Sequence, residues 1–420
     1  MTPGYDGIQS IAFFSPDVTD VSTIKRADMF TEKDFSITVF GFRRARYNRD
    51  FQPRWPYVEL GETRDGSYAR RALSLLKASF VLFRHRTTLR RASRFYARNI
   101  DQLILAAMVR MLIRSQAPIT YEVLDIQPVF VGNGMRARLL RFVERVFLKR
   151  VSLIVVSSPG FMHNYFEPVQ AYRGDWFLLE NKLHASAVPT LETARSQLAT
   201  DRQHKSAEAQ KYKWVVNYAG LIRGQRTLNL ITRLAEKFEN DILFRFYGIL
   251  TTVNPEAFRG AIESHENMVY GGEYVNPRDL TDIYRDADFV WALDLENVDN
   301  NSRWLLPCRF YEAGYLGLPC LVARDFEVGR KVESLDAGWT FSAPFDDTLF
   351  KFFEQVTRAE YAEKRRRITE LPASTFLAQN DGAALCHFIS DPALHSSRKS
   401  RSRRREGARQ LTPAHAGFRD

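Results

Sequence analysis

Short apolar runs alternate along most of this chain with stretches whose apolar residues recur every three or four positions. Residues 9–15 (QSIAFFS) and 35–42 (FSITVFGF) are β-branched and aromatic runs of strand length, and the pattern between them is helical to about residue 32. Residues 94–99, 118–126 (PITYEVLDI) and 151–156 read as further strands. Two longer amphipathic stretches lie among them. In residues 67–88, Ala69, Leu73, Leu76, Phe80 and Phe83 step at helical spacing, with Arg70, Arg71, Lys77, Arg84 and Arg86 elsewhere. In residues 135–150, Leu139, Leu140, Val143, Val146 and Phe147 make one stripe, and Arg138, Arg141, Arg145 and Lys149 make another. Residues 176–182 (WFLLENK) are one more strand, followed by a polar stretch at 184–211 expected to be a helical or loose insertion. A second series then begins, with strands at 214–218, 243–247, 268–270, 289–293 and 319–322, and closing helices at 348–369 and 378–389. Strand and helix in repeated alternation predict parallel sheets covered on both faces, so the fold class is α/β.

The length of 420 residues suits two such domains and a tail, and 45% hydrophobic residues supply two cores. The apolar run at 103–113 is too short to span a bilayer and contains Arg110. The first residues, MTPGYD, have no secretory pattern, and Cys308, Cys320 and Cys386 have no CxxC spacing. A cytoplasmic chain with reduced thiols is expected. The eight histidines form no HxH or HExxH pair, so no metal site is expected. The net charge of +11 is uneven, because residues 395–410 carry seven Lys/Arg against Glu406 and cannot pack a core. No nucleic-acid-binding signature accompanies the charge, and no nucleic-acid partner is expected. Nucleotide phosphates or an anionic membrane surface explain it equally well, and the Arg138, Arg141, Arg145 and Lys149 stripe would face solvent or such a surface.

The chemistry centres on residues 300–322, a polar loop, a short helix carrying Glu312, and a Gly-Leu-Pro turn into an apolar strand. A carboxylate so placed lies at the carboxyl edge of a parallel sheet, where open α/β sheets bind ligands. No GxGxxG occupies the first strand-to-helix turn, which argues against NAD chemistry. The segment RFYEAGYLGLPCLV resembles the E-A-x-x-x-G-x-P donor-binding signature of GT-B glycosyltransferases of the family-4 type. It departs from that signature at Trp304, where the family usually has a second Glu. VVNYAGLIRGQRTLNLI resembles the same family's phosphate-gripping loop, with Gly220 in place and Arg226 where the family has Lys. LFRFYGIL and NMVYGGEYVNPRDLTDIYRDADFVWAL fall in the family's intervening places, and the opening of the chain is similar to bacterial exopolysaccharide enzymes of the succinoglycan type.

The resemblance implies two Rossmann-like parallel-sheet domains facing a cleft: an acceptor domain at 1–175 and a nucleotide-sugar domain at 176–372. A helix at 373–392 would pack back, and 393–420 would be a basic disordered tail. It implies a glycosyltransferase that takes a nucleotide diphosphate sugar, a UDP-sugar, to a lipid-linked or saccharide acceptor in surface-polysaccharide synthesis. The donor would be held by Gly220, Arg223, Arg226, Gly248, Glu273, Tyr274, Arg309 and Glu312, with Glu312 on the ribose. Arg223 and Arg226 beside a helix N-terminus make a diphosphate clamp, so neither metal nor cofactor is expected. Asp125 and Asp101 both follow strands of the first domain and are the candidate bases, Asp125 ranked first. Asp101 could instead cap a helix, and Asp125 could bind backbone amides. Two other readings stand beside this one: a sugar-nucleotide epimerase of the same fold, and a non-catalytic envelope protein that binds polyanions or a membrane surface. The enzyme is expected in the cytoplasm, visiting the inner face of the plasma membrane.

Overall fold

A computed structural model describes residues 9–44, 51–62, 68–184, 188, 192, 205–390 and 410–411. The chain divides into two units, residues 1–179 with 380–420, and 180–379.

In the first unit, seven strands form one parallel sheet: β1 (Ser10–Ser15), β2 (Ser36–Arg43), β3 (Tyr57–Glu62), β4 (Arg94–Arg98), β5 (Ile119–Val123), β6 (Val151–Val156) and β7 (Asp175–Leu178). Their order is β3-β2-β1-β4-β5-β6-β7, and the two-residue strand Gln410–Leu411 pairs beside β7. β4 and β5 are buried at every position, as strands covered by helices on both faces must be. The helices Tyr68–Arg84, Ile100–Leu112 and Met135–Leu148 form adjoining contacts in one layer. On the other face the last helix, Asp381–Ser390, closes the core by placing Leu385, Cys386 and Ile389 with Phe13 and Phe177. Arg94 fastens its end by donating to the Ile389 carbonyl at 2.9 Å.

The second unit contains β8 (Leu183–His184), β9 (Trp214–Ile222), β10 (Ile242–Leu250), β11 (Met268–Tyr270), β12 (Phe289–Trp291), β13 (Cys320–Ala323), β14 (Gly338–Phe341) and β15 (Leu377–Ala378). Six of them form a parallel sheet in the order β11-β10-β9-β12-β13-β14, so the winding reverses between β9 and β12. β8 and β15 pair separately. Trp214, Phe289, Trp291 and Tyr311 are among the large side chains that fill the core of this unit.

Several expectations are corrected. The strand at 175–178 pairs with β6, so the boundary expected at 175/176 falls after Leu179. Helix 67–88 is two helices, broken at His85, and 348–369 is also two, separated at Val356 and Thr357. β3 and β14 add strands that the apolar runs did not reveal, because Tyr57–Glu62 alternates weakly and Gly338–Phe341 is only four residues long. Most of the insertion at 184–211 and most of the basic tail lie outside the described residues.

Neither amphipathic stretch buries its expected stripe whole: Leu76, Phe80, Phe83 and Leu139 are exposed, and Leu140, Val143, Val146 and Phe147 are half-buried. In Tyr68–Arg84 the buried residues include Ala78 and Leu82, while Leu76, Phe80 and Phe83 are exposed. In Met135–Leu148, Ala137, Glu144 and Leu148 face inward and Met135, Leu139 and Phe142 face solvent. The expected cationic stripe is partly tied down as well. Arg141 donates to the carbonyls of Phe130 and Gly132, and Arg145 to that of Val169.

Candidate functional site

The reversal between β9 and β12 sets the place of the site in the second unit. β9 and β10 run paired to their ends, with Gly220 opposite Gly248. Both glycines have positive φ, +111° and +125°, and a Cβ on Gly248 would stand 1.9 Å from the Gly220 carbonyl oxygen. No other residue fits that approach. β9 then turns through Arg223 and Gly224 into the helix Gln225–Lys237, whose first amides are left open toward the strand ends. Arg226 is the second residue of that helix, exposed, with no ion-pair partner among the described residues. Arg223 is held differently, because its Nε lies 2.5 Å from the Asp294 carboxylate just beyond β12. The same loop is stitched to the helix by the Leu295 amide, which donates to Thr227 Oγ1 at 3.0 Å.

Glu312 rides on the helix Cys308–Tyr315 and is buried. Its carboxylate accepts from Asn276 Nδ2 and from the Tyr284 hydroxyl, both at 2.8 Å. The Asn276 Oδ1 is itself buried with no hydrogen-bond partner among the described residues. Burial raises the Tyr274 hydroxyl pKa, and the nearby Glu312 charge raises it further, so Tyr274 remains a neutral donor beside the carboxylate. Arg309, one turn before Glu312, is buried, donates to the Trp291 carbonyl at 3.3 Å and covers the Tyr218 ring at 4.5 Å. It also approaches the place of a Gly220 Cβ to 4.0 Å.

The structure thus gathers Arg309 with Gly220, and Tyr274 with Glu312. Gly248 is gathered by strand pairing, and Arg223 and Arg226 by the β9 turn. Glu273 is exposed in the loop beside Tyr274. Asn276, Tyr284, Asp294 and Tyr218 contact these candidate residues and were not singled out from the sequence. Asn276 and Tyr284 lie 36 and 28 residues from Glu312, and no local pattern ties them to it.

In the first unit, Asp101 and Asp125 follow the neighbouring strands β4 and β5. Asp101 is not the helix cap. Asn99, at φ +69°, holds that position, and Asp101 stands in the first turn of Ile100–Leu112. Asp125 is exposed and borders a small cavity shared with Asn99, Tyr121, Gln127 and Glu144. Glu144, on the inner side of Met135–Leu148, was not singled out from sequence because Arg141 and Arg145 surround it there. Its buried carboxylate accepts from Gln170 at 2.6 Å, from Tyr121 at 3.3 Å and from Tyr165. Burial without a basic partner pushes its pKa up to about 7 against the help of these three donors.

Nearby Glu122 has the opposite fate. Burial opposes its charge, but Arg26 and Arg98, both at under 3 Å, hold its carboxyl down to about 2. It is a structural tie between β5, β4 and the helix Val21–Thr31.

No family model matches this chain. Two parallel α/β units, the second wound as above, define the GT-B fold, and solved structures that superpose on this chain share it. Sucrose-phosphate synthase from Thermosynechococcus elongatus superposes with a TM-score of 0.69 at 12% identity, over 92% of this chain and all of that one (100%). HepE of Anabaena, solved in complex with UDP and glucose, superposes with a TM-score of 0.63 at 13% identity, over 91% of this chain and 99% of that chain. In sequence, the chain is 27% identical over 387 residues to the succinoglycan biosynthesis protein ExoL of Rhizobium meliloti (strain 1021), spanning 92% of this chain and 94% of ExoL.

Proposed function

We propose that this chain is a glycosyltransferase that moves a sugar from a UDP-sugar to a lipid-linked or saccharide acceptor in bacterial exopolysaccharide synthesis. One observation carries the reading: a buried glutamate held by two neutral donors, Asn276 and Tyr284, in a unit whose open helix N-terminus and paired glycines lie at the winding reversal. Glu312 takes the ribose diol as a charged acceptor, and the vacant Asn276 Oδ1 takes one further donor of the nucleoside. The diphosphate lies against the first amides of Gln225–Lys237, where the glycines admit it closely. Arg226 is positioned to neutralise it, and Arg223 does so by exchanging its Asp294 contact for a phosphate oxygen. Guanidiniums and helix amides stabilise the leaving UDP, so the reading requires no metal. Asp125 is the preferred base for the acceptor hydroxyl, with Asp101 the alternative. The similarity to ExoL supports the exopolysaccharide setting, and UDP in HepE supports the donor class. The acceptor is at the inner face of the plasma membrane in this reading, and the enzyme reaches it from the cytoplasm. No described helix is long and apolar enough to cross a membrane.

Calorimetric titration with UDP and UDP-sugars tests the donor site, and a chain that binds none of them overturns it. Product analysis with a labelled donor, with and without a lipid-linked acceptor, tests the reaction. Label must enter the lipid or oligosaccharide fraction only when acceptor is present. An epimerised sugar nucleotide formed without acceptor would replace transfer by epimerisation.

A further inference from the structure

Water-facing large apolar side chains are unevenly distributed in the first unit. Leu76, Phe80 and Phe83 are 63%, 64% and 44% exposed, at i, i+4 and i+7 on one helix. Met135, Leu139 and Phe142 repeat that spacing on another, at 87%, 63% and 61%. Met111 and Leu112 end the helix that packs between these two. A helix normally turns such a stripe into the core, yet here the cores take Ala78 and Leu82, and Ala137 and Leu148, instead. A soluble protein exposes isolated apolar residues freely, but contiguous exposed apolar stripes mark a contact surface.

The charge around the stripes selects the occupant. Residues 68–91 contain seven Lys/Arg and no Asp or Glu. Residues 135–150 contain six Lys/Arg and one acid, Glu144, which is buried. Lys77, Arg84, Arg86, Arg136, Arg138 and Lys149 are exposed and pair with no carboxylate among the described residues. Arg84 lies over the Phe80 ring at 5.3 Å and Arg86 over Phe83 at 5.4 Å, so each exposed ring carries a guanidinium at its edge of water. A protein partner would need an acidic rim around an apolar groove. A bilayer with anionic headgroups supplies both requirements over any area, acyl chains for the rings and phosphates for the cations.

We propose that the helices Tyr68–Arg84 and Met135–Leu148 form a membrane-docking face, inserting Leu76, Phe80, Phe83, Met135, Leu139 and Phe142 among anionic lipids. The inference rests on the proposed function for its purpose, bringing the enzyme to a lipid-linked acceptor, and on the surface alone for its geometry. It moves the contact away from Arg141 and Arg145, whose guanidiniums are occupied by backbone carbonyls. Apolar insertion is the anchor and the arginines provide selection for anionic lipid.

The test is co-sedimentation of the full chain with phosphatidylcholine vesicles, with and without phosphatidylglycerol, alongside a Phe80→Asp, Phe83→Asp, Leu139→Asp, Phe142→Asp variant. The wild type should sediment with the mixed vesicles and far less with the neutral ones, and the variant should lose at least ~tenfold in partition coefficient. Circular dichroism melting should leave the variant unchanged, since the replaced side chains already face water. A second variant, Arg136→Ala with Arg138→Ala, should bind mixed vesicles more weakly while keeping residual binding at high salt. A quadruple variant that sediments like the wild type overturns the proposal and assigns the contact to the basic tail. A wild type that ignores both vesicle types, or binds them equally, also overturns it. UDP titration of the same samples separates the two ideas: docking without UDP binding removes the donor reading and leaves this one standing.

Discussion

The carboxyl edges of the two sheets bury carboxylates in opposite company. In the second unit, Glu312 accepts from the neutral donors Asn276 and Tyr284 with Tyr274 nearby, and cations stand at Arg309 on its own helix and at Arg223 and Arg226 where β9 turns into the next helix. In the first, Glu144 and Asp125 border a cavity with tyrosines and amides, and Glu144 pairs with no basic side chain among the described residues. An edge rich in cations and open amides suits an anionic nucleotide. An edge of carboxylates and neutral donors suits hydroxyl groups. The difference teaches that one architecture, repeated, has been given two chemistries by a handful of residues at strand ends, which is where parallel sheets leave room for them.

The comparison breaks most readily at Gly248. A Gly248→Ala chain must hold a methyl 1.9 Å from the Gly220 oxygen at φ +125°, which costs roughly 2–4 kcal/mol or forces the strands apart. Urea unfolding should show the second unit weakened, and UDP binding should be lost. An unchanged midpoint would mean the strand ends do not approach as closely as described.

The first edge is sharpened by pH. Glu144 binds its proton more tightly folded than unfolded, because burial raises its pKa from the ordinary 4.5 to about 7. The stability this proton contributes is full below about 4.5 and is lost as pH rises toward 7, a loss of about 3 kcal/mol. Glu122, held down to about 2, acts in the opposite sense and loses its stabilisation as pH falls through 4.5 toward 2. Glu144→Gln should flatten the stability profile between pH 4.5 and 7 while leaving the acid limb in place. Denaturant midpoints at several pH values measure it, and a variant with the wild-type slope would place the titration elsewhere.

At the second edge, Glu312→Gln removes the charge from the proposed ribose contact and should weaken UDP-sugar binding by roughly 1.5–3 kcal/mol. Calorimetry that finds wild-type affinity in a folded variant removes Glu312 from the site.

The smallest effect on stability separates the two arginines of the turn. Arg226→Ala should leave melting unchanged, because its side chain is exposed and has no ion-pair partner among the described residues, yet it should lower turnover. Arg223→Ala should lower both, because it abandons the largely buried Asp294 carboxylate. Equal melting in the two variants would show that the Arg223–Asp294 pair contributes nothing to the fold.

The sequence alone carried the local decisions. Apolar runs placed most strands within a few residues, since a strand covered on both faces has to be apolar throughout. Gly220, Gly248 and Glu312 stood out in the sequence only through the resemblance of their segments to a family's motifs, and the structure supplies a physical reason for the two glycines, a backbone approach that no side chain fits. Tertiary structure decided what periodicity leaves open. A stripe at spacings of three and four states that a helix has an apolar side, not which way that side turns, and in Tyr68–Arg84 and Met135–Leu148 the exposed stripes include Phe80, Phe83, Leu139 and Phe142. Glu144 looked like one acid in a basic helix until Tyr121, Tyr165 and Gln170 closed around it from other elements. Likewise the partners of Glu312 come from Asn276 and Tyr284, brought together by the winding of the sheet. Burial and hydrogen bonding between distant segments are properties of the packed chain, and no local pattern encodes them.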